Sequence, residues 1–315
     1  MTEPDVLAVR QLASEPTDES VTRAWYRITQ LEAVARPSVS RRRFLIPVAA
    51  AGLVVAAGGA TALLQPGRRF TPSASPDVVD ALNTLAAAAA TGTATPIPPG
   101  QLIHLEGDGW ASVSRGADMN TLRIERQVAN LWLDPQGLIV VRDGDGSVPT
   151  LPTVEEQRDW LRDKGPGLLQ PTPQWLAGLP TDPGKLLKLL RREVGTHKSW
   201  SVDHQLWDAM ANLYFSGEIA LTPQTRAALL RSFAGMNGLS VRDTVFNGQR
   251  LVAIRHTENE TVEEILFDPV TGRAVGRASG WLGPEVTIIQ ATAGPTLDPN
   301  ISYMTTWTQS IVRPL

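Results

Sequence analysis

The chain contains no cysteine. Disulfides, thiolate zinc sites, iron–sulfur clusters and cysteine nucleophiles are therefore excluded. Histidine is scarce, at four residues: His104, His197, His204 and His256. There is no HExxH pair, no phosphate-cradling glycine loop and no GxSxG elbow. In Gly276-Arg277-Ala278-Ser279-Gly280 the serine stands one place too late for that elbow. A basic excess is missing as well. Residues 71–315 hold 20 Lys and Arg against 26 Asp and Glu, a balance of −6, so the charge pattern of a nucleic-acid binder is absent.

What is present is an uninterrupted apolar run. Residues 44–64 read FLIPVAAAGLVVAAGGATALL, 21 residues without a charge, directly after Arg41, Arg42 and Arg43. At about 1.5 Å per residue such a helix spans about 31 Å, close to the roughly 30 Å of a bilayer core. Arg68 and Arg69 flank the far side. The arginine excess lies on the N-terminal side, so the positive-inside bias places 1–43 in the cytoplasm and exports the rest. The expected organisation is a cytoplasmic helical tail (1–43), a transmembrane helix (44–64), a linker (65–76) and an exported domain (77–315), with the chain at the cell membrane. Two alternatives stand beside it. One is a buried core helix, which at this length usually carries a polar face. The other is export and cleavage. Ser40-Arg41-Arg42-Arg43-Phe44-Leu45 resembles a twin-arginine signal, and Ala60-Thr61-Ala62 resembles a small-residue cleavage site. The mature chain would then begin near Leu63. A long tail with helical patterning ahead of the arginines favours the retained anchor.

In the tail, 3–13 reads as a short helix and 17–35 as a longer one, opened by Thr17 with Asp18 and Glu19 in its first turn. Val21, Trp25, Ile28 and Leu31 form one apolar stripe, continued by Ala35. So small a tail cannot bury that stripe alone, so it packs on helix 3–13, on a protein partner, or on the membrane surface, which the mixed charges on its flanks disfavour.

Beyond the linker the pattern is α+β. A helix is expected over 77–91, capped by Ser75 or Asp77. Extended segments follow from Gln101, and the Asp134-Pro135-Gln136-Gly137 turn pairs 121–133 with 138–142. Residues 143–183 are loop-rich and proline-rich, with a short helix near 154–163. Helices are expected at 182–194, with Asp182 as N-cap, at 201–216, and at 222–234, stopped by Gly235 and Gly238. The final 75 residues read as a strand meander. Asn247-Gly248 joins LSVRDTVF to RLVAIRHT, a DPVTG turn joins TVEEILFD to RAVGRASGW, and PEVTIIQAT and ISYMTTWTQSIV follow. Short connections between consecutive strands imply an antiparallel sheet.

Catalytic signals are weak. His197 and His204, with Glu193, Asp203 and Asp208, can outline a metal site, because a helix puts His204 and Asp208 on one face. Polar residues on the surface of a helix flank explain them more simply. Asp143-Gly144-Asp145-Gly146-Ser147 starts like a calcium loop, but valines occupy the sixth and twelfth positions, where glycine and glutamate are required. Glu155/Glu156 and Glu263/Glu264 are neighbours, and neighbours on a strand face opposite ways. Asn259-Glu260-Thr261 matches a glycosylation sequon. Nine tryptophans are many, but their irregular spacing suits core packing better than a ligand surface. No catalytic residue, metal or cofactor is assigned.

LPTDPGKLLKLL (179–190), GLSVRDTVFNGQRLVAI (238–254), LFDPVTGRAVG (266–276) and YMTTWTQSIV (303–312), with the arginine-flanked span, resemble an uncharacterised actinobacterial family of single-pass membrane proteins. Its members are often encoded beside extracytoplasmic-function sigma factors. The resemblance implies a non-enzymatic envelope sensor or anti-sigma-like regulator in signal transduction, its tail contacting a cytoplasmic sigma factor. The tail has neither His nor Cys, unlike zinc-type anti-sigma tails, which leaves a zinc-free helical clamp. The domain's plan also looks like lipoprotein-carrier and sigma-regulator sensing domains, in which a curved antiparallel sheet wraps helices around an apolar concavity. That likeness implies the alternative, a carrier of an apolar envelope ligand such as a lipid.

Overall fold

The computed structural model describes residues 72–114, 121–143, 153–196, 200–282, 287–288 and 301–314. The tail stripe at Val21, Trp25, Ile28 and Leu31, the run 44–64, the arginines on either side of it, His197 and the calcium-like segment 144–148 lie outside the described residues. The chain divides into Met1–Arg69 and Phe70–Leu315. No helix among the described residues of the second unit is long and apolar enough to cross a membrane.

The second unit is α+β: one antiparallel sheet packed with helices. Its first helix, α1 (Pro76–Ala90), starts after Ser75 with proline at the first position, where no backbone donor is needed. Strands β1 (Leu102–Ser114), β2 (Thr121–Asp134) and β3 (Ile139–Asp143) then form an up-and-down set. Helices come next in succession: α2 (Val154–Lys164), α3 (Pro173–Ala177), α4 (Pro183–Val194), α5 (Val202–Gly217) and α6 (Pro223–Phe233). A 3₁₀ turn, Glu218–Ala220, separates the last two. The helices at 154–163, 182–194, 201–216 and 222–234 thus form where the periodicity places them. The five-residue α3 inside the proline-rich stretch was not expected. Its N-cap is Thr172, whose hydroxyl accepts the Trp175 amide at 3.2 Å.

A meander completes the sheet: β4 (Leu239–Phe246), β5 (Gln249–Glu258), β6 (Thr261–Phe267) and β7 (Ala274–Trp281). Of the expected strand 284–292, Thr287–Ile288 (β8) is described. It pairs with β2 in parallel, the exception to the antiparallel expectation. The last long strand, β9 (Ile301–Val312), does not extend the meander at its free edge. It runs between β1 and β7 and joins both halves into one sheet of order β3-β2-β1-β9-β7-β6-β5-β4.

The helices cover one face of the sheet. On that face Ile254, Ile265 and Phe267 are fully buried against Trp207, Tyr214 and Phe233 from α5 and α6. Helix α6 is buried nearly all round: Ala228, Leu229, Leu230 and Phe233 have no exposure, and Thr225, Arg226 and Ser232 are buried with them. Helix α1 packs on it, and the Ala234 carbonyl accepts from the amides of Ser73 (2.8 Å) and Ala74 (3.0 Å). A second apolar cluster, including Trp110, Leu251, Val262, Leu266 and Met304, lies elsewhere on the sheet. The tryptophans divide: Trp110, Trp207 and Trp307 are buried and Trp281 is exposed, so core packing accounts for part of the set only.

One glycine is required by contact as well as by backbone. Gly272, in the β6–β7 turn, has φ of 63°, and a Cβ there would stand 2.2 Å from the Leu85 carbonyl oxygen. The turn lies directly on α1.

Candidate functional site

Three donors from three elements converge on the helix-covered face of the sheet. His204 sits in the first turn of α5. Its amide donates to the hydroxyl of the N-cap, Ser201, at 3.1 Å. His256 lies on β5, and Glu263 lies directly opposite it on β6. The register follows from the two-residue turn Asn259-Glu260, whose φ angles of 48° and 65° are those of a tight hairpin. With Glu258 facing Thr261, every second pair points the same way, and His256 and Glu263 share one face.

The helix is tied to the strand beneath it. Glu258 at the end of β5 accepts the Ser201 amide at 2.7 Å and also the Ser201 hydroxyl. Ser201 therefore caps α5 and anchors it over β5, and this double role sets His204 above His256. The two imidazole centroids are 5.5 Å apart. His204 Nδ1 lies 3.9 Å from Glu263 Oε2. One donor atom from each of the three residues lies within 4.8 Å of the others.

The surroundings are dry and aromatic. Trp200 stacks on His204 with centroids 3.9 Å apart, and Trp207 stacks on His256 at 5.8 Å. His204 is 6% exposed and His256 2%. The Nδ1 atom of His256 is buried without a hydrogen-bond partner among the described residues. An unsatisfied buried nitrogen of this kind costs about 1–3 kcal/mol. Burial also holds the His256 pKa below the usual imidazole value, against the opposing pull of Glu258 and Asp203. Burial pushes Glu258 the other way, but its bonds from Ser201 and the nearby His204 and His256 outweigh that and hold it ionised.

The candidate metal residues of the sequence fare unevenly. His204 and Asp203 are not surface residues of a helix flank, because α5 turns both into the protein, leaving 6% and 7% exposed. Asp203 is committed to structure. Its Oδ1 accepts from Arg191 Nε at 2.8 Å, and its Oδ2 accepts from the amide and side chain of Asn237 at 3.0 and 2.9 Å. Asp208 and Glu193 are not part of the three-residue cluster. Sequence reasoning missed His256 and Glu263. The available signal was the Asn259-Glu260 turn, which fixes their pairing. Nothing local brings α5 over them.

The neighbouring carboxylates divide as strand geometry demands. Glu264 faces away from Glu263 and is fully buried. It accepts from Arg242 at both oxygens (2.7 Å each) and from Arg255 at 2.8 Å. A second buried cluster lies where α5 ends. Arg226, 4% exposed, pairs with Glu218, and its Nη2 donates to the carbonyls of Glu218 (3.1 Å) and Leu221 (3.2 Å). This guanidinium fills the 3₁₀ turn's carbonyl acceptors and is structural. Burial raises the Glu218 pKa to about 7, despite the opposing charges of Arg226 and Arg273.

Two imidazoles and a carboxylate at this spacing form a donor set for a divalent metal ion or a proton-sharing group. Comparison with family models, curated proteins and solved structures gave no match.

Proposed function

We propose that this chain is a single-pass, non-enzymatic membrane protein. Its C-terminal domain senses a condition or ligand outside the cell, and its tail regulates a cytoplasmic partner of the sigma-factor class. The observation that carries the reading is the uncharged run 44–64 behind Arg41, Arg42 and Arg43. The separate unit beginning at Phe70, a few residues past that run, supports it, since a tethered sensing domain needs such a division. The buried His204–His256–Glu263 cluster supplies titratable or ligating groups through which a domain of this kind responds to its surroundings.

The tail carries the output. The stripe of Val21, Trp25, Ile28 and Leu31 is the surface for a helical clamp. Capture of the full-length chain in mild detergent tests this. Trp25→Asp is expected to remove a cytoplasmic protein that the native chain retains. An unchanged set of captured proteins overturns the tail-partner reading.

A further inference from the structure

We propose that His204, His256 and Glu263 bind one divalent first-row transition-metal ion of the Zn²⁺ class. Binding at this place requires the domain alone, whichever way the chain meets the membrane.

The donor set comes first. Two imidazole nitrogens and one carboxylate oxygen are a recognised zinc combination, and three protein ligands leave a fourth position for water or an external ligand. Around a tetrahedral ion with bonds of roughly 2.0–2.1 Å, ligand atoms stand about 3.3 Å apart. The 3.9 Å between His204 Nδ1 and Glu263 Oε2 is close to that, and all three donors lie within 4.8 Å. Glu263 is half-buried.

The second observation is the His256 ring. It is 2% exposed, and its Nδ1 has no hydrogen-bond partner among the described residues. A metal ion at the cluster gives a buried imidazole a partner that the described residues do not.

The electrostatics oppose and favour a cation in turn. The first turn of α5 carries the positive end of the helix dipole, which disfavours it. Arg191 adds positive charge nearby but is bound to Asp203 at 2.6 Å. Against these stand the carboxylates of Asp203, Glu258 and Glu263. Glu258 and Asp203 both act electrostatically on His256. Trp200 and Trp207 stack on the two imidazoles.

The test uses the full-length chain in detergent, stripped with chelator and dialysed against Zn²⁺. Bound metal is counted by elemental analysis and affinity is measured by calorimetry. Co²⁺ serves as a coloured probe of the same site. One Zn²⁺ per chain and a rise in melting temperature are expected. Glu263→Gln and His256→Gln should each weaken binding at least tenfold and remove the Co²⁺ absorption. His104→Gln, away from the cluster on β1, should change neither. Glu263 is half-buried, so its variant decides the matter if His256→Gln does not fold. A folded native chain that takes up no stoichiometric Zn²⁺ overturns the proposal. So does binding that survives Glu263→Gln, because the ion then sits elsewhere.

Discussion

At the scale of single residues, position outweighs residue type. Glu218 and Glu264 are both buried glutamates with arginine partners, and burial pushes the Glu218 pKa to about 7. Its stability contribution has a defined sign. The folded pKa lies above the ordinary 4.5, so the contribution is fully present below about pH 4.5 and is lost as pH rises through about 7. His256, with its lowered pKa, acts oppositely, losing stability as pH falls below its unfolded value. The difference between native chain and Glu218→Gln isolates the first effect. The variant's melting temperature is expected to fall less than the native chain's between pH 5 and pH 8, and parallel curves would refute it. Gly272 presents a second residue-scale case. Alanine there meets both a left-handed backbone and the Leu85 carbonyl, whereas alanine at Gly248, with φ of 78°, meets open space. The backbone alone costs about 1–2 kcal/mol. Gly272→Ala should therefore lower the melting temperature by more than Gly248→Ala, by about 5 °C or more at the usual 2–4 °C per kcal/mol for this size. Thermal denaturation of the two variants side by side checks it.

At the scale of elements, helix ends were the most readable feature. Asp182 and Thr222 each accept the amide three residues on, as proline after a capping residue implies. The hairpin at Asn247-Gly248 and the β2–β3 pair also formed in the expected places. The capping box of α2, between Thr153 and Glu156, was just as legible but went unread. What could not be read was the second use of a cap. Ser201 begins α5, as its position suggests, but it also receives Glu258 from a strand 57 residues away. Ser201→Ala should therefore cost more than an ordinary cap, about 2 kcal/mol rather than 1. Hydrogen exchange should quicken at His204 and neighbouring amides of the first turn, while α6 stays protected. Uniform acceleration through both helices would contradict a local brace.

At the scale of the whole unit, the antiparallel sheet and the helical middle were legible from alternation and periodicity. The place of β9 was not, because its apolar pattern is satisfied equally at the meander's edge or at the sheet's centre. The candidate site was hidden for a related reason. His256 and Glu263 are joined by a turn that sequence can specify, but His204 arrives through packing of Leu206, Trp207 and Met210 on the sheet, which no local pattern encodes.

The central seat of β9 bears on biogenesis. Until residues 301–312 have left the ribosome, β1 and β7 face each other as two raw edges, and neither half-sheet has its middle plank. Closure of the sheet must wait for that segment, and a product truncated before it is left open-edged and prone to clump.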